Sequence, residues 1–98
     1  MAQITHITNL DPDFTPLVYT VGTSSAQSAV IVTGSGLVRL ATKACEAHVA
    51  FGSNPTATTS SVLMPPDHVE IFSFKSGDKI AFIRSASTSG DLSICAVD

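Results

Sequence analysis

Short apolar runs follow one another along the chain, separated by clusters of Gly, Pro, Ser, Asn and Asp. They recur at the roughly 8–12-residue spacing of a sandwich or barrel. Residues 17–21 read as a strand and residues 22–25 as a loop. Residues 28–33 read as a second strand, with Ala29, Val30, Ile31 and Val32 as a continuous apolar run. After a Gly34-Ser35-Gly36 turn, residues 37–42 form a third. Residues 45–51 alternate, with Cys45, Ala47, Val49 and Phe51 on one face and Glu46 and His48 on the other. Side chains on a strand point to opposite faces in turn, so this pattern predicts a strand with one wet face. A helix over residues 38–49 would align Ala41, Ala44 and Ala47, but the β-branched content and the alternation favour strands.

The longest loop runs over residues 52–61 and is too rich in Thr and Ser to supply a core. Residues 62–64 form a short apolar return, stopped by Pro65 and Pro66, which lack the donor a ladder needs. Strands over 68–74 and 80–84 flank Lys75-Ser76-Gly77-Asp78-Lys79, a polar turn that reads as a hairpin. Residues 92–97 form the last strand. The expected fold is all-β: a single small antiparallel β-sandwich or barrel of about seven short strands. It spans residues 15–98, preceded by an extended N-terminal arm or edge strand over residues 1–14.

Three stretches are apolar on both faces: 29–32, 69–74 and 80–83. Such strands are covered either within the fold or by another chain, and a domain of 98 residues has little room for the first. Composition points the same way. Charged residues make up 13% of the chain, about half the usual share, while 13 Ser and 11 Thr supply polarity without charge. The mean hydropathy of +0.33 is too high for a disordered chain. No apolar run approaches the ~18 residues of a membrane helix, so no membrane role is expected. A net charge of −3 with five scattered basic residues argues against nucleic acid as a partner. The N-terminus has neither the basic start nor the apolar core of a secretory signal, so synthesis in a cytoplasm is expected.

The chemistry-bearing residues form no motif. Cys45 and Cys95 each sit in apolar surroundings and read as buried thiols; a disulfide would require their strands to be neighbours. His6, His48 and His68 share no ligand spacing. His68 and Glu70 would face the same side of a strand, on what reads as a solvated face. Gly34-Ser35-Gly36 lacks the third glycine of a dinucleotide loop, Arg39 standing in its place. The eight carboxylates are dispersed over turns and wet faces. No catalytic, cofactor-binding or metal residue is therefore assigned, and no enzyme activity is expected. Arg39 and Lys43 are candidates to face an acidic partner. The arm carries Ile4, Ile7, Leu10 and Phe14, which are the candidate partner-interface residues.

One stretch carries a family resemblance. Ala47-His48-Val49-Ala50-Phe51-Gly52-Ser53-Asn54-Pro55-Thr56-Ala57-Thr58 is followed by Leu63-Met64-Pro65, a strand through Glu70, and Ser76-Gly77-Asp78-Lys79-Ile80-Ala81. This resembles small structural proteins of tailed-phage virions, and among them capsid decoration (cement) proteins. The likeness covers residues 37–97 and rests on turn and strand positions. It implies a small oligomeric β-sandwich or barrel, with a homotrimer favoured, whose partners are sister subunits and the major capsid protein on the outer virion surface. A tail, collar or fibre-hub component is the alternative within that class. A carbohydrate-binding module is a further one, disfavoured by the lack of Trp and the single Tyr. The resemblance transfers no functional residue.

Overall fold

A computed structural model of the chain describes residues 14–84 and 89–97. Eight strands lie among them: β1 (Leu17–Val21), β2 (Ala26–Gln27), β3 (Leu37–Lys43), β4 (Ala47–Gly52), β5 (Val62–Met64), β6 (Val69–Ser73), β7 (Lys79–Arg84) and β8 (Gly90–Ala96). They form two four-stranded sheets, ordered β1-β8-β3-β6 and β2-β7-β4-β5. Every pairing is antiparallel. The fold is the β-sandwich that the alternation predicts, and its strand order is that of a jelly roll. Among consecutive strands, β4 and β5 alone are partners in one sheet; every other connection passes from one sheet to the other.

Alternation is what sorts the residues. Along β3, Val38, Leu40 and Thr42 are buried, while Arg39, Ala41 and Lys43 lie on the opposite face. The inner faces of both sheets meet in one core containing Val21, Ile31, Val38, Leu40, Val49, Met64, Ile80, Phe82, Leu92 and Ile94. Each such side chain contributes roughly 1.5–3 kcal/mol when fully buried. Ring contacts cross the sandwich near two of its edges. Tyr19 on β1 meets Phe82 on β7 at 5.2 Å, and Phe72 on β6 meets Phe51 on β4 at 5.3 Å.

Two local expectations change. The polar turn at residues 75–79 is not a hairpin, because β6 pairs with β3 while β7 pairs with β4 and β2. The turn instead carries the chain across the roughly 10 Å between the two sheets. The strand expected over residues 28–33 is also not formed, and the ladder lies just before it. Ladder pairing covers Ala26–Gln27, and residues 28–33 continue as irregular extended chain. That chain is tied to the β6–β7 turn: Ser28 N–H donates to Ile80 O, Ile31 N–H to Asp78 O, and Gly77 N–H to Ile31 O. Of its apolar run, Ile31 enters the core while Val30 and Val32 are exposed.

Candidate interaction surface

The two sheets treat their outer faces differently. In the second sheet, Ala81 stands in register with Gln27 and Ala50, and His48 with Leu63 and Ile83. All alternate with core residues and so point outward. Yet Ala81 is 0% exposed and His48 only 7%. The cover comes from the β4–β5 loop, residues 53–61, which folds back along the sheet. Gln27 Nε2 donates to Asn54 Oδ1 and to Pro55 O, both at 2.8 Å. Ala57 N–H donates to Ser25 Oγ at 2.9 Å, and His48 Nδ1 lies 3.0 Å from Ser61 O. Pro55 and Ala57 are themselves buried. His48, expected on a wet face, is therefore covered, because a segment that reads as ordinary loop lies over the middle of this sheet, while at its β5 edge Leu63 stays 48% exposed.

On the first sheet no loop among the described residues is tied across the outer face in this way; Cys95 is buried there at 5% exposure, but the residues towards both edges are open. Val18, Ser93, Ala41 and Val69 fall in register across all four strands, forming a transverse row on the outer face. Four strands span about 14 Å at ~4.8 Å per step. Val18 is 63% exposed, Val69 50%, and Ile71 in the next row 41%. Arg39 lies between Ile71 and Cys95 in that row, and Lys43 stands beside Asp91 on the other side of the apolar one. Sequence order separates these residues widely, and only the register of β1, β8, β3 and β6 brings them together. Arg39 and Lys43, the candidates to meet an acidic partner, both belong to this face.

A second cluster locks one end of the sandwich. The β3–β4 turn holds Ala44 at φ 68° and the β5–β6 turn holds Asp67 at φ 53°, both in the left-handed region that disfavours side chains. The Ala44 N–H donates to Asp67 Oδ1 at 3.1 Å, so the two strained residues hold each other. Thr42, which is buried, donates its hydroxyl to Pro65 O and accepts from His68 N–H. His68 Nε2 meets Glu70 Oε1 at 3.1 Å on an exposed flank, so the two do face the same side. Beside this cluster, Cys45 packs against Gly90. Burial, then the nearby Asp91, pushes the Cys45 thiol above its ordinary pKa, with Arg84 opposing. A protonated, buried thiol is a poor nucleophile.

Both cysteines are free. Cys45 adjoins Gly90, whereas Cys95 lies five residues further along β8. That places them about 16 Å apart along the strand, well outside the ~7 Å reach of a disulfide. The partner-interface candidates Ile4, Ile7 and Leu10 lie outside the described residues, as does His6. Phe14 is half-buried and packs against the core of its own chain. Among the described residues there is no group of His, Cys, Asp and Glu able to hold a metal, and no pocket. No family model, curated protein or solved structure matches the chain.

Proposed function

We propose that the chain is a structural protein of a tailed-phage virion, which binds the outside of the capsid shell and stabilises it as a decoration protein. The observation that carries this reading is the exposure of Val18, Val69 and Ile71 on the outer face of the first sheet, beside a second sheet whose middle is covered by its own loop. Interfaces that stay closed are apolar at their centre and polar at their rim. A central row of Val18, Ala41 and Val69, uncharged throughout with Ser93 as its one polar member, flanked by Arg39, Lys43 and Asp91, has that form. The resemblance of residues 47–58, 63–65 and 76–81 to virion proteins supports the class. Such a protein acts by mass action: it binds the assembled shell alone, and so adds its binding free energy to that state. The first sheet lies on the capsid protein, and the residues of the arm, Ile4, Ile7 and Leu10, engage a sister subunit.

The test is binding of the purified chain to undecorated shells. Wild-type protein co-sediments with shells and raises the temperature at which they break. Val18→Lys, on the first sheet's outer face, folds as wild type but no longer co-sediments. Recovery of the chain solely in purified tails, or full binding by Val18→Lys, overturns the assignment.

A further inference from the structure

The open edge of the first sheet carries a second kind of surface. β6 is the terminal strand of its sheet, paired on one side with β3. The phase of that pairing follows from two hydrogen bonds, Phe74 N–H to Gly36 O and Thr42 N–H to His68 O. In an antiparallel ladder, bonded and non-bonded pairs alternate. The even-numbered residues of β6 therefore direct their backbone groups to β3, and Val69, Ile71 and Ser73 direct theirs outward. No described residue bonds those outward groups.

The other edges are guarded. β2 has two residues, β5 has three and runs into Pro65, and β1, itself five residues without Pro, Gly or Lys, follows directly on Pro16. Short strands and prolines are the usual protection against strand addition. β6 is five residues long and contains no Pro, Gly or Lys.

We infer that β6 is a homotypic docking edge, pairing antiparallel with β6 of a second copy of this chain about a two-fold axis centred on Ile71. The phase rule permits pairings that join outward residues to outward residues. Centring on Ile71 sets Ile71 against Ile71 of the second copy and Val69 against Ser73, so that every outward group of the strand is bonded. Charge selects the same register. Lys75, just past one end of β6, comes opposite Asp67 of the second copy, just past the other end, and both are exposed. Glu70 falls opposite Phe72. The next permitted register on one side sets Glu70 against Glu70, like charges directly opposed. The next on the other side leaves outward groups of Val69 unbonded by β6.

The result is one continuous eight-stranded sheet, with the exposed Val69 and Ile71 of both copies side by side on its outer face. A five-residue edge buries less than the ~1,200 Å² of a stable interface, so the dimer forms reversibly and depends on concentration. A two-fold contact of this kind is compatible with three-fold rings, since a closed shell lattice has both axes. The pairing rests on β6 alone and is independent of whether the first sheet binds a shell.

Sedimentation of the full chain over a concentration series tests it, together with cross-linking through one introduced cysteine in a chain whose own two are buried. Wild-type protein shows a reversible monomer–dimer equilibrium. Ile71→Pro removes an outward N–H that the monomer does not use, keeps the wild-type melting temperature, and weakens the dimer at least about tenfold. Under mild oxidation Ile71→Cys forms disulfide-linked dimers, Val69→Cys alone does not, and a mixture of Val69→Cys with Ser73→Cys does. Three results overturn the inference: a strictly monomeric wild type, an association that survives Ile71→Pro, or cross-linking of Val69→Cys as fast as Ile71→Cys.

Discussion

The middles of the two outer faces are built from similar residues and differ in their cover: Ala81 and His48 are buried, while Leu63 at one edge of the second sheet is exposed like Val18 and Val69 on the first. Ala81, Ala50 and His48 on the second sheet are no more apolar than Val18, Ala41 and Val69 on the first. The difference lies in a loop. The β4–β5 connection is the one within-sheet hairpin among the described residues, and its residues 53–61 have enough length to turn back over the sheet they join. The crossing connections run from sheet to sheet at the ends of the sandwich and cover nothing comparable among the described residues. A side chain's exposure on the outer face is thus set by where the loop goes, and only secondarily by what the side chain is.

The sharpest way to break this comparison is to place one charge on each face. Ala81→Lys buries an ammonium beneath the loop, with no acidic group in register, and should cost about 3 kcal/mol or more. Ala41→Lys, at the corresponding outer position of β3, should change stability by less than about 0.5 kcal/mol. Urea midpoints of the two variants decide the matter, and equal losses would mean that the faces are not different.

Gly90→Ala probes the framework of the bare face. A Cβ there would stand 2.0 Å from Lys43 O and 2.8 Å from Cys45 Sγ, so the β8–β3 ladder must shift. An overpacking cost of roughly 1–3 kcal/mol is expected, read as a fall in melting temperature. Gln27→Ala removes both of its bonds to the covering loop and should cost about 1 kcal/mol. Its signature is local: hydrogen exchange at Ala57 and Ala81 speeds up, while that of β3 and β8 does not. The smallest effect is a gain. Ala44→Gly relieves a left-handed alanine and should stabilise by about 0.5–1 kcal/mol, seen as a higher urea midpoint.

Much of the fold was legible because strand alternation is a local property. Residues 17–21 and 62–64 were bounded from sequence as the structure has them, and the pattern of residues 45–51 separated Ala47, Val49 and Phe51 from His48. Sheet membership is not local. Lys75–Lys79 looks the same whether the next strand pairs beside β6 or crosses to the other sheet, and only the long-range partners β3 and β4 distinguish the two. The candidate surface was half legible. Runs apolar on both faces were evident at 29–32, 69–74 and 80–83, but their fates diverge. Ala81 is sealed by this chain's own loop, while Val30, Val32, Val69 and Ile71 stay open. Nothing in the composition of residues 53–61 signalled a cover, since Pro55 and Ala57 act through position. The latch between Ala44 and Asp67 had no signal either, because neither residue advertises a positive φ.

The strand order also sets a constraint in time. β8 lies between β1 and β3, which do not pair with each other, so without its last strand the first sheet can form only the β3–β6 pair. A growing chain that has already made β1, β3 and β6 holds three strands, of which only β3 and β6 can join. Their apolar inner faces must wait for residues 90–96 to emerge. Topologies dominated by such distant pairings fold in milliseconds to seconds, and the waiting strands are prone to aggregate meanwhile. Folding of this chain during synthesis should therefore be abrupt and late, beginning when β8 becomes available to insert.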